Sequence, residues 1–122
     1  MELKELLHEQ QVALIALVEA LAMADQRVTA EEEKEINVIA GAFGDEAYRR
    51  LLDEAERRFP DEQRLRTFLE SITDPEVREL LFETALEVAA IEPPLGPGRS
   101  GLLDWLARTW SIRVDIQPEA GA

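Results

Sequence analysis

Asp25 and Glu32 are the first residues whose type and spacing suggest chemistry. They bracket "DQRVTAEE", where an apolar helix should end and a glutamate-rich one begin. Carboxylate oxygens suit Ca²⁺, Mg²⁺ or Mn²⁺, which want several such ligands at one point. An acid at the end of one helix and an acid in the first turn of the next could converge across the loop. Glu92 could join them if a second turn of the chain lies beside the first. Local physics offers a competing account. Asp25 can accept hydrogen bonds from the N–H groups of its own turn. Glu32 can close a capping box on Thr29, and Glu31 and Glu33 favour the positive end of a helix. An EF-hand loop is excluded. Counted from Asp25, its third position is Arg27, its sixth Ala30 and its twelfth Ile36, where that loop needs an oxygen ligand, glycine and glutamate.

Other groups give weaker signals. His8 is the only histidine, with Glu5 and Glu9 close by in sequence. Without cysteine or a second histidine it makes a poor zinc site, and an exposed or half-buried packing role is expected. Arg49, Arg50, Arg57, Arg58, Arg64 and Arg66 could form a basic stripe. Glu46, Asp53, Glu54 and Glu56 lie among them, so salt bridges within the helix are the simpler expectation. Trp110 is expected in the core and Trp105 nearer the surface. No serine–histidine pair and no glycine-rich phosphate loop stands in the chain, and a non-enzymatic role is expected.

The elements that must position these residues are helices. Leu3, Leu7, Leu14, Leu17, Val18 and Leu21 recur at helical spacing and predict a first helix from Glu2 to Ala24. From Val12 onward that helix is apolar almost all round, so it belongs in the centre of a bundle. A second helix starts near Ala30, carries Ile36, Ile39, Ala40 and Phe43 inward, and stops at Gly44. Asp45 is expected to cap the third, with Ala47, Leu51, Leu52, Ala55 and Phe59 inward. Pro60 and Asp61 restart the chain into a fourth helix ending near Ile72. "TDPE", Thr73 to Glu76, opens a fifth that runs to about Ala90. "EPPLGPGRSG", Glu92 to Gly101, reads as a turn, and a sixth helix carries Leu102, Leu103, Leu106 and Trp110. The tail from 113 to 122 is expected to be extended or frayed, leaving one domain over residues 1–112. The fold class is all-α, a bundle of about six helices.

An offset of 67 residues places Leu14 on Leu81, Leu21 on Val88, Asp25 on Glu92, Ile39 on Leu106 and Phe43 on Trp110. Helices one and two therefore read as a diverged copy of helices five and six, two hairpins joined by helices three and four.

The stretch "ADQRVTAEEEKEI" followed by a helix ending in "IAGAFG" resembles the tellurite-resistance TerB-like family. Those domains are all-helical and commonly carry an alanine-aspartate-glycine turn, with a glutamate seven residues after the aspartate. Ala24, Asp25, Val28 and Glu32 match that pattern, and Gln26 stands where glycine is usual. The resemblance implies divalent-cation binding by Asp25 and Glu32, and a part in bacterial tellurite resistance or metal-linked stress response. In the second turn Glu92 replaces the aspartate, while Arg99 occupies the slot of Glu32. A cation there could stand in for the metal. The alternative is a metal-free helical interaction domain in which the same acids only cap helices.

Composition bounds the rest. A chain of 122 residues with 46% apolar content can bury one core without staples. It has no cysteine, hence no disulfide and no thiolate site. Its formal charge of −13 argues against nucleic acid. "MELKELL" has no basic region leading into an apolar one, and "VALIALVEALAMA" is too short to span a bilayer. A cytoplasmic protein without a membrane span is expected, acting on a protein partner.

Overall fold

A computed structural model describes residues 2–23, 30–89 and 97–112. A short 3-10 turn, Leu3–Glu5, leads into six α-helices: α1 (His8–Met23), α2 (Ala30–Phe43), α3 (Asp45–Arg58), α4 (Glu62–Ser71), α5 (Pro75–Ala89) and α6 (Pro97–Thr109). No strand occurs among the described residues. The protein is all-α, as its periodicity predicts.

Helix α1 is the axis of the bundle. Val12 through Ile15, Leu17, Val18 and Leu21 are all buried. It packs on α3, α5, α4 and α6. A helix apolar on every side has no face to give to solvent, so it must be surrounded. Each fully buried leucine or isoleucine there contributes about 1.5–3 kcal/mol from apolar surface removed from water. The amphipathic helices supply the surroundings. Leu51 and Ala55 of α3, Leu65 and Leu69 of α4, Leu81 and Ala85 of α5, and Leu102 and Leu106 of α6 close the core. Helix α2 packs on α3, on α5 and on the 3-10 turn.

The first predicted helix is broken. Leu6 adopts an extended conformation (φ −63°, ψ 148°) and separates the 3-10 turn from α1. Leu6 is buried at 4% exposure while Leu7 is 69% exposed. The apolar stripe therefore does not run through Leu7. The break is held by glutamine side chains. The Leu7 N–H donates to Gln10 Oε1 at 3.0 Å, and Gln11 Nε2 donates to the carbonyls of Leu6 and Lys4. These bonds satisfy backbone groups that a continuous helix would have paired internally.

The other boundaries follow their caps. Gly44 has φ 93°, the left-handed region open to glycine, and its N–H closes α2 on the Ala40 carbonyl at 2.9 Å. Gly44 is also the N-cap of α3. Asp45 does not cap. It is the first helical residue, because one glycine makes both the stop and the start, and with Glu46 it lies at the positive end of α3. Asp61 caps α4, accepting from the Arg64 N–H at 2.8 Å. Asp74 accepts from the Glu76 N–H at 2.9 Å just ahead of α5. The C-terminal end of α4 gains a cap from a distance, as Arg78 Nε donates to the Ile72 carbonyl at 2.7 Å.

Helix α6 begins earlier than its breakers suggest. Pro97 is its first residue, and Gly98 and Gly101 lie within it. Proline at the first helical position lacks an N–H that would be unpaired anyway. Gly101, inside the helix, costs about 1 kcal/mol relative to alanine, a cost met by burial of Leu102, Leu103, Leu106 and Trp110.

Candidate docking groove

Two of the sequence-predicted site residues, Asp25 and Glu92, lie outside the described residues. Glu32 is placed on the first turn of α2 and Arg99 on the first turn of α6, with their side chains outside the described part. Among the described residues, no group of three or more His, Asp or Glu side chains is placed to hold a metal ion.

The largest described cavity, about 560 Å³, lies where the 3-10 turn, α2 and α5 meet. Its floor is apolar: Leu3 from the turn, Val38, Ile39 and Ala42 from α2, and Leu80 from α5. Ile39 is buried, Leu3, Ala42 and Leu80 are half-buried, and Val38 is 64% exposed. Thr84 is buried beneath them, its hydroxyl satisfied by donation to the Leu80 carbonyl at 2.8 Å. The rim is acidic, with Glu2, Glu35, Glu83 and Glu87 around it and Lys4 the one cation among its described residues. A second depression continues the acidic edge through Glu76, Glu79 and Glu83.

Some acids elsewhere on the surface have cation partners. Glu46–Arg50, Glu54–Arg58, Glu62–Arg66 and Asp104–Arg108 are i,i+4 bridges at 2.7–3.1 Å. Arg50 and Arg58 of α3 and Arg66 of α4 thus meet acids of their own helices, as their spacing predicts, while Arg49 and Arg57 form no ion pair with a described residue. His8 does not pair with Glu5 or Glu9. Its Nε2 lies 2.9 Å from Glu54 Oε1 on α3, because the break at Leu6 starts α1 beside that helix. This hydrogen bond, chief among several causes, lowers the Glu54 pKa. A cavity of about 430 Å³ carries Lys4, His8 and Arg50 on its lining, but Glu54 and Glu46 already engage the latter two.

A third cavity, about 260 Å³, lies between α1, α3 and the link to α4. Ala16, Ala20, Ala55, Phe59 and Leu65 form its walls, and Glu19 of the central helix opens into it with Glu56. Burial, and then the nearby Glu56 charge, push the Glu19 carboxyl above its ordinary range. Burial, with a smaller push from Glu19, also raises Tyr48.

The groove escaped sequence reasoning because it is built by tertiary contact. Its parts left two traces. Val38 falls off the Ile36–Ile39–Phe43 stripe of α2, and Glu76, Glu79, Glu83 and Glu87 repeat at three- and four-residue steps along α5. That spacing puts four acids on one helix face.

Comparison of the chain with protein-family models, with curated proteins and with solved structures finds no match in any of the three. No described helix is long and apolar enough to cross a membrane.

Proposed function

We propose that this chain is a non-enzymatic helical module that docks another protein in the groove between the 3-10 turn, α2 and α5. The observation that carries the reading is the apolar floor left open there, with Val38 mostly exposed beside half-buried Leu3 and Leu80. An exposed valine beside half-buried apolar side chains, at the mouth of an open groove with a polar rim, offers an apolar anchor point to a partner. The groove stands on two packed helices, which suits it to hold a fixed shape. Photo-crosslinking in the source cells tests the reading. A crosslinking residue at Val38 should yield one discrete protein adduct, absent when the residue stands at exposed Glu70 of α4 and lost when Ala42→Gln narrows the groove. Equal labelling from both positions, or none, overturns it.

The cation reading of the first inter-helix turn stands beside this one. Its support is the sequence itself, with Asp25 and Glu32 seven residues apart and Glu92 at the matching position of the second unit. In that form the module is a TerB-like accessory or sensor of metal-linked stress, with Ca²⁺, Mg²⁺ or Mn²⁺ as the ion.

A further inference from the structure

We infer that the segment taken by this groove is a basic amphipathic helix of a partner protein. The inference rests on the docking reading above and adds the chemistry of the occupant.

Shape favours a helix. The apolar floor lies between two helices, α2 and α5, with the 3-10 turn beside them. A groove of this kind accepts the apolar row of an amphipathic helix, read at i, i+3, i+4 and i+7. The acidic edge from Glu76 to Glu87 extends roughly 16 Å at helical rise, about three turns of an incoming helix laid along it.

Charge fixes the polar side of that helix. One acid or more on each of α3, α4 and α6 has an arginine partner one turn away, although Asp53, Glu56 and Glu70 have none among the described residues. On α5, Glu76, Glu79, Glu83 and Glu87 form no ion pair with any described residue. The arginine within that helix, Arg78, is turned to the Ile72 carbonyl. Glu35 adds an acid from the opposite wall, against one lysine, Lys4. Four neighbouring carboxylates without cations repel one another, and a lysine- or arginine-bearing face relieves that repulsion as it docks. An acidic helix would add to it. A second copy of this chain would bring the same acidic edge and a net charge of −13. Nucleic acid is repelled for the same reason.

The test uses the full chain and three synthetic helical peptides. They share one leucine row and differ only in a lysine, glutamine or glutamate polar face. Binding is measured by titration at two salt concentrations and located by amide NMR shifts. The lysine peptide should bind with shifts centred on Val38, Leu80 and Glu83, roughly tenfold more tightly than the glutamine peptide, and more weakly at high salt. The glutamate peptide should not bind. Val38→Asp, at an exposed position, should abolish binding with the fold intact, and Glu83→Gln with Glu87→Gln should weaken it several-fold. Equal binding of the lysine and glutamine peptides in the groove overturns the charge inference while the docking reading survives. Lysine-peptide shifts centred elsewhere also overturn it. So does a dimer in sedimentation that Val38→Asp dissociates. If no peptide moves the groove amides, the docking reading itself falls.

Discussion

The indole Nε1 of Trp110 donates to the carbonyl oxygen of Leu69 at 3.0 Å, joining two residues 41 positions apart. Both are buried. The bond fastens the end of α6 to the end of α4, and it gives the indole the polar partner that a buried tryptophan requires. The same oxygen accepts the Ile72 N–H at 3.2 Å. Trp110→Phe therefore removes one bond without orphaning its acceptor. Its cost should be about 1 kcal/mol, read as a lower midpoint in urea. Trp110→Ala opens a cavity as well and should cost about 3–5 kcal/mol.

Arg66 lies over the ring of Trp105, its guanidinium carbon 4.6 Å from the ring centroid. It also bridges Glu62 at 2.9 Å, yet its Nε is buried without a hydrogen-bond partner. Arg66→Ala should uncover the indole and shift its fluorescence to the red, with a loss of about 0.5–1 kcal/mol. Arg66→Met keeps the apolar cover and removes the unpaired N–H. It should stay within about 0.5 kcal/mol of the parent protein and leave the emission unshifted.

The residues explain why some of this was legible in sequence and some was not. Helices α3, α4 and α5 carry their own punctuation in Gly44, Asp61 and Asp74–Pro75, and caps act within a few residues. The apolar run in α1 fixes its central place, because no exposed face remains to it. Three of the pairs set by the 67-residue offset share their environment, whereas Phe43 is half-buried and its match Trp110 is buried. Leu14 and Leu81 are buried, as are Leu21 and Val88, and Ile39 and Leu106. The break at Leu6 was hidden because Leu3 and Leu7 fit a helical period that glutamine side chains overrule. His8 meets Glu54 across 46 residues, and the groove needs three separate elements. Neither leaves a local pattern to read.

The acids of the first inter-helix turn make a separate prediction. Protein stripped with a chelator should melt higher when one of Ca²⁺, Mg²⁺ or Mn²⁺ is restored, by an amount that grows with the logarithm of its concentration. Asp25→Asn and Glu32→Gln should each remove that rise. No rise with any of the ions leaves these residues as turn and capping groups. The docking groove lies on described residues that include neither of these acids nor Glu92, so either result leaves the peptide experiment unaffected.

Two half-buried acids should respond to pH in opposite senses. Burial and Glu56 raise the Glu19 pKa above its unfolded value. The folded state then binds a proton more readily than the unfolded chain, and stability falls as pH rises through the unfolded value toward the folded one. Glu19→Gln removes that penalty. It should raise the melting temperature at about pH 7 and lose this advantage below about pH 4, where the parent carboxyl is protonated in both states. Glu54 is the reverse case. The His8 hydrogen bond, with Arg58, lowers its pKa against a smaller opposing push from burial, so its contribution is present above the unfolded value and is lost as pH falls through the folded one. Glu54→Gln should therefore lower the melting temperature at about pH 7 and approach the parent in acid. Thermal melts of the two variants and the parent across that range should give difference curves of opposite sign. If the two curves share a sign at neutral pH, the environment assigned to Glu19 or to Glu54 is wrong. The side of zero on which they fall identifies which of the two it is.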